Sequence, residues 1–286
     1  MTVPLLRAEA LSLYYGGVCA LRRIDLEITP GELVGVIGPN GAGKSTLLDA
    51  ITGFAPLTDG SLTFEGRDLR RHGPTQRARM GVARTWQTLQ LFEDLTVAEN
   101  VRTAVGRRTT DPLVRLGIDR LAERMPGELS HGQRVLVGVA RALAGSPKLL
   151  LMDEPAAGLD GHERALLGEI LRDVVASGTS VVLVDHDMPL VLGICDRVCV
   201  LDFGEVIANG PPHAVRHDPA VIAAYLGADD GEDSGASEGT GDTGGVDGLE
   251  IPDDPGSPDG SGATDGPGIA RGFEKADDAG EWEVAR

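Results

Sequence analysis

Cysteine is scarce in this chain, with three residues, Cys19, Cys195 and Cys199, among 286. Their number is odd and none falls in a paired knuckle spacing, so neither a disulfide framework nor a zinc site is expected, and all three read as reduced core or half-buried residues. Long apolar runs are missing too. Nowhere do about 18 apolar residues follow one another, as a membrane-spanning helix needs, and residues 1–10 hold no stretch of signal-peptide length. A cytoplasmic protein is expected, with any membrane role coming through a partner. Basic charge is also short. Of the formal net charge of −18, residues 228–286 contribute 17 acidic and 3 basic side chains, which leaves the body near −4. No basic stripe is available to displace counterions from a nucleic acid, so no nucleic-acid partner is expected.

What the chain does contain begins with Gly38-Pro39-Asn40-Gly41-Ala42-Gly43-Lys44-Ser45-Thr46, which fills every fixed position of the phosphate-binding pattern G-x-x-x-x-G-K-[ST]. Leu33-Val34-Gly35-Val36-Ile37 before it has the length of a buried strand, and Ser45 to Ile51 after it reads as a helix. In that setting the glycines let successive N–H groups and the positive helix end face phosphates. Lys44 reaches the β- and γ-phosphates, Ser45 offers a hydroxyl to Mg²⁺, and Thr46 can donate to an α-phosphate oxygen. A nucleoside triphosphate site is therefore expected. No Asn-Lys-x-Asp segment is present to read guanine.

Around this motif, residues 5–28 alternate in the manner of strands, broken at Tyr15-Gly16-Gly17, and residues 61–65 form another strand after the Thr58-Asp59-Gly60 turn. An antiparallel layer beside the nucleotide core follows from these. Tyr15 either packs at a loop edge or lies flat on a purine base. Residues 67–79 read as a basic surface connection leading into a helix. Gln87, at the end of a strand over residues 81–87, is a surface amide, or a Mg²⁺ ligand through its carbonyl oxygen, or an amide that holds the attacking water. Thr96 and Glu99 form a capping box that opens a helix, and residues 107–127 suggest a small helical lobe.

Leu129-Ser130-His131-Gly132-Gln133 stands immediately before the helix-forming residues 135–143, with Ser130 either a plain N-cap or, with Gly132 and the helix end, the holder of a second phosphate. Residues 148–154 read as a buried parallel strand ending in Asp153-Glu154. Paired acids there are costly to desolvate unless a cation or proton is shared. Either they sit on an exposed strand end, or Asp153 serves Mg²⁺ and Glu154 acts as general base. Residues 157–160 make a turn before a helix over 161–176. Residues 179–184 form the next core strand, and His186 just past it is either an ordinary satisfied histidine or a contact to the γ-phosphate. A hairpin through Gly204 and a closing helix over 219–226 follow. His213 and His217 receive no role. From residue 228 the Gly-, Asp-, Ser- and Pro-rich composition predicts a disordered acidic tail, in which residues 273–284, with Trp282, are the one apolar spot.

Taken together, these motifs resemble the ATP-binding subunits of ABC transporters over residues 5–227. Gly38 to Thr46 matches the Walker A loop, Gln87 the Q-loop, and Leu129-Ser130-His131-Gly132-Gln133 the signature, in which His131 replaces a common glycine. Leu149 to Glu154 matches the Walker B strand, Gly158-Leu159-Asp160 the D-loop, and His186 the switch histidine. Tyr15 falls where the family's adenine-stacking aromatic sits. Ala83-Arg84-Thr85-Trp86-Gln87, Leu95 to Val101 and Ala224-Tyr225-Leu226-Gly227 are similar to the branched-chain amino acid importer group, which a urea and short-amide branch resembles.

The resemblance implies an α/β fold: a P-loop nucleotide-binding core with a mostly parallel sheet, an antiparallel β subdomain and a small helical subdomain. ATP-binding residues 1–227, a helical lobe at about 88–145 and the tail 228–286 are the expected divisions. It also implies ATP hydrolysis with Mg²⁺, coupled to solute transport at the cytoplasmic face of the cell membrane. The implied partners are a second ATP-binding subunit, two membrane-spanning permease subunits and, indirectly, an extracytoplasmic solute-binding protein. In such a pair Ser130, His131, Gly132 and Gln133 of one subunit close over the ATP held by Lys44 of the other.

Overall fold

The computed structural model describes residues 3–86, 90–104 and 112–229, together with the paired strands Phe273–Glu274 and Glu283–Val284. Trp282 lies outside the described residues. In chain order the elements are β1 (Leu6–Tyr15), β2 (Val18–Ile28), β3 (Leu33–Ile37), α1 (Lys44–Thr52), β4 (Asp59–Phe64), β5 (Arg67–Asp68), α2 (Pro74–Met80) and β6 (Val82–Arg84). Next come α3 (Val97–Arg102), α4 (Pro112–Arg115), α5 (His131–Leu143), β7 (Leu149–Asp153), α6 (Gly161–Ala176) and β8 (Ser180–Val184). The sequence then gives α7 (Met188–Ile194), β9 (Arg197–Asp202), β10 (Glu205–Gly210), α8 (Pro212–Arg216) and α9 (Pro219–Asp229).

Six strands form the central sheet in the order β10-β9-β3-β8-β7-β6, parallel throughout except for the β10 edge. Its inner strands are buried on both faces, which is why they read as unbroken apolar runs rather than as alternation. The period of two survives in where the side chains go. In β7, Leu149 and Leu151 join the core shared with the antiparallel sheet β2-β1-β4-β5, while Leu150 and Met152 join the core under α5 and α6. Helix α1 supplies Leu47, Leu48, Ala50 and Ile51 to the first of these cores, and α3 and α5 pack on the second.

The capping box at Thr96 forms as the sequence requires, with the hydroxyl accepting from Glu99 N–H and the Glu99 carboxylate accepting from Thr96 N–H. One expectation fails. Residues 67–79 are not wholly a surface connection, because they contain β5 and the buried Arg77, 4% exposed. The Arg77 guanidinium donates to the carbonyls of Ala50 and Ile51 in the last turn of α1 and of Leu69 and His72. The first two are helix-end acceptors that no intrahelical N–H reaches. Burial lowers the pKa of Arg77, and an arginine used in this way carries no apolar signal in the sequence.

The register brings the carboxyl ends of three central strands side by side. Asp153 pairs with Val184, and Val184 with Val36, so the loop after β3, the acids after β7 and the Asp185-His186 step after β8 share one edge. This is the edge at which open α/β sheets bind ligands.

Candidate nucleotide site

The phosphate loop closes around its own lysine. Lys44 is 7% exposed, and its ammonium donates to the carbonyls of Gly38 at 2.6 Å and Pro39 at 2.9 Å. Burial lowers the Lys44 pKa, and the charges of Glu154 and Asp153 act in the opposite direction. Two glycines of the loop cannot be replaced without rebuilding it. Gly38 has φ of 149° and a Cβ there would lie 2.0 Å from the Leu201 carbonyl oxygen; Gly43 has φ of 104°, with the Ala20 carbonyl 2.8 Å from its would-be Cβ. Helix α1 begins at Lys44 with Gly43 as a left-handed cap that offers no side-chain acceptor, so its first N–H groups are left for an anion.

Ser45 is exposed one residue into the helix, and its hydroxyl lies 3.5 Å from Asp153 Oδ1. Beside Asp153, Glu154 takes a left-handed backbone conformation, with φ of 48°. The other described non-glycine residues of positive φ sit at bulges and turns. At Glu154 the conformation is held by its N–H donating to the Val184 carbonyl at 2.7 Å, and a strain of about 1–3 kcal/mol is typical of such a position. His186 Nδ1 stands 4.0 Å from Glu154 Oε2 and 3.9 Å from Asp185 Oδ1, with the imidazole 63% exposed. Asp185 is fully buried and accepts from the N–H groups of Ala156 and Asp187, which binds the turn after β7 to the turn after β8.

The hairpin tip carrying Tyr15 lies beside this loop. Tyr15 pairs with Val18, two residues before the Ala20 carbonyl that abuts Gly43, and the ring is 50% exposed. Such exposure fits a flat platform and not a packed core residue.

Helix α5 opens with a complete capping box, in which Ser130 Oγ accepts from Gln133 N–H at 3.2 Å and Gln133 Oε1 from Ser130 N–H at 3.1 Å. His131 Nε2 meets the Ala157 carbonyl at 2.9 Å, and a Cβ on Gly132 would lie 2.4 Å from Glu163 Oε1. The start of α5 is therefore locked to residues 157–163, where Asp160 caps α6 by accepting from Glu163 N–H at 2.8 Å. Ser130 and His131 remain exposed. Gln87 lies outside the described residues. Among the described residues no group of three or more His, Cys, Asp or Glu side chains is placed to hold a metal alone. Cys195 and Cys199 are buried and free, with the Cys199 thiol pushed up to about 12 by burial.

Comparison with known proteins matches residues 21–157 to the ABC transporter family and residues 205–231 to the branched-chain amino acid ATP-binding cassette transporter family. LivG of Salmonella typhimurium, a high-affinity branched-chain amino acid transport ATP-binding protein, is 37% identical over 253 residues, covering 79% of this chain and 99% of LivG. The chain is an ATP-binding subunit of the ABC transporter family. Within that family it belongs to the branched-chain amino acid group. A solved ATP-binding cassette of an ABC transporter in its ADP conformation superposes on this ABC subunit with a TM-score of 0.72 and 30% identity, covering 79% of this chain and all of the other. A dimeric bacterial ABC transporter cassette matches with a TM-score of 0.65 and 27% identity, over 72% of this chain and 98% of the other. The ABC subunit is thus an ATPase of α/β P-loop fold. No helix of its described residues is long and apolar enough to cross a membrane.

Two residues of the ABC subunit that the sequence marks only as part of family-like stretches, with no site role, lie at the nucleotide site. Arg84, at the end of β6, has a side chain only 6% exposed that reaches both Asp49 and Asp153. Tyr225 of α9 is half-buried against the phosphate loop, with its hydroxyl toward the Gly38 backbone. Neither belongs to a nucleotide motif, and both contacts bridge segments far apart in sequence.

Proposed function

We propose that this chain is the ATP-hydrolysing subunit of an importer for branched-chain amino acids. It acts in a pair of such subunits beneath two membrane-spanning permease subunits, fed by an extracytoplasmic solute-binding protein, at the cytoplasmic face of the membrane. The observation that carries the reading is the match of residues 205–231 to the branched-chain amino acid model, beside the likeness to LivG.

The geometry of the described residues supports the roles proposed for the site. Tyr15 stacks on adenine, while the loop N–H groups and Lys44 bind the phosphates. Ser45 and Asp153 bring hard oxygen donors together, and that pairing fits Mg²⁺; Gln87 is the third proposed ligand. Held by these residues, Mg²⁺ would supply positive charge to offset that of the phosphates. Glu154 accepts a proton from the attacking water as oxygen bonds to the γ-phosphorus and the bond to ADP breaks. His186, at the same edge, holds the γ-phosphate and water in line with Glu154.

Ser130 serves as cap and phosphate ligand at once. Its oxygen accepts from Gln133 N–H, leaving its O–H to donate outward. In the pair, the start of α5 in one subunit, where Ser130 is exposed and Gly132 follows two residues on, closes over the ATP held by Lys44 of the other. ATP then favours the closed pair, and loss of the γ-phosphate contact reopens it.

The test is uptake of labelled solute by cells lacking this chain, complemented with wild type or Glu154→Gln, with leucine, a polar amino acid and urea compared. Leucine uptake restored by wild type alone supports the proposal. Restoration of urea uptake alone reassigns the chain to the amide branch, and uptake independent of the chain for every solute overturns a transport role.

A further inference from the structure

Arg84 occupies a position that the nucleotide motifs do not account for. One arm of its guanidinium donates to Asp153 Oδ2 at 2.7 Å and the other to Asp49 Oδ1 at 2.5 Å. Asp153 therefore divides its oxygens, Oδ2 to Arg84 and Oδ1 toward Ser45. Asp49 sits on α1 four residues after Ser45, which puts the two on one face of the helix. The guanidinium thus ties the helix that bears Ser45 to the strand that bears Asp153. A third constraint comes from Trp86, whose ring centroid is 4.5 Å from Arg84 Cζ and which meets Phe54 edge-on at 5.2 Å. Among the described residues Arg84 Nε is buried without a hydrogen-bond partner. An arginine present only for stability would not be expected to leave a buried donor unpaired, since that costs free energy.

We propose that Arg84 is a positioning residue for the metal-bound nucleotide: it fixes the Asp153 carboxylate so that Oδ1 faces Ser45. The inference rests on the reading of Asp153 and Ser45 as the metal donors. A carboxylate ligand free to rotate must be ordered when the cation arrives, whereas one already held by a two-pronged donor need not be. Arginine suits the task better than lysine because its planar fork engages two carboxylates in one fixed geometry.

The experiment uses the full chain in a Glu154→Gln background and measures ATP affinity twice, with Mg²⁺ and with a chelator. The ratio of the two affinities is the metal's contribution. Arg84→Gln should reduce that ratio by about tenfold or more, while affinity in chelator stays within about threefold. Arg84→Lys, which keeps the charge and loses the fork, should fall between, and it carries the test if Arg84→Gln does not fold. Equal losses with and without metal, or an unchanged ratio in a folded Arg84 variant, would overturn the positioning role. Asp153→Asn is the control for the underlying reading. If it leaves the ratio unchanged, Asp153 is not a metal donor and the inference falls with that reading; if it lowers the ratio while the Arg84 variants do not, only the inference fails.

Discussion

Glu154 and Asp153 are adjacent in sequence, yet the structure gives them different surroundings. Asp153 is tied down by Arg84, while the left-handed backbone at Glu154 turns its side chain toward His186. In the role proposed for it, Glu154→Gln removes the proton acceptor and keeps the shape. Hydrolysis should drop by about 10²–10⁴-fold with ATP binding retained, as single-turnover kinetics and equilibrium binding will report; near-normal turnover would remove Glu154 from the role. Gly38 is a different kind of position. A Cβ there meets the Leu201 carbonyl at 2.0 Å, a backbone atom that cannot step aside. Gly38→Ala should abolish ATP binding and lower the melting temperature, whereas Gly41→Ala, with open space around its would-be Cβ, should be stressed only by its positive φ and lose less. The phosphate loop was legible because its residue types are fixed by its conformation. Arg84 was not, because an arginine on a short strand looks like any surface cation until the register places it beside Asp153.

Helix α5 carries two demands at its first turn. Ser130 must cap it, and in the proposed pair it must also face a phosphate. Ser130→Asp separates these, since aspartate is as good an N-cap as serine but repels an anion. The variant should keep the melting temperature within a degree or two of wild type, as circular dichroism will measure, and lose most hydrolysis; unimpaired hydrolysis would make Ser130 a cap and nothing more. Ser130→Ala should instead cost about 1 kcal/mol of stability. Elements whose ends are set by local chemistry, such as α3 with its Thr96 box and α6 with Asp160, could be read directly from the sequence. The same holds for strands buried on both faces. What sequence could not supply is why Gly132 and His131 stand where they do, because their neighbours, Glu163 and the Ala157 carbonyl, come from 26 or more residues away.

The nucleotide-binding core depends on how its two larger sheets are held together, since β2 belongs to one and the loop it buttresses follows a strand of the other. Arg197 at the start of β9 is one fastener: its guanidinium donates to Glu32 Oε1 and Asn209 Oδ1, each at 2.7 Å, and to the Glu27 carbonyl of β2. Glu32 also accepts from the N–H and hydroxyl of Thr29. Burial favours the neutral acid, but these donors outweigh it and hold the Glu32 pKa below its usual 4.5. A folded-state pKa below the unfolded one stabilises the protein above the unfolded value and ceases to do so as pH falls through the folded one. Glu32→Gln should therefore cost about 1.5–3 kcal/mol at neutral pH, and the gap to wild type should stay constant down to roughly pH 5 and narrow below it. Urea unfolding of both proteins across that range measures the gap. A gap that did not narrow in acid would mean that Glu32 contributes by packing alone, leaving Asn209 and the Glu27 carbonyl as the contacts through which Arg197 joins the sheets.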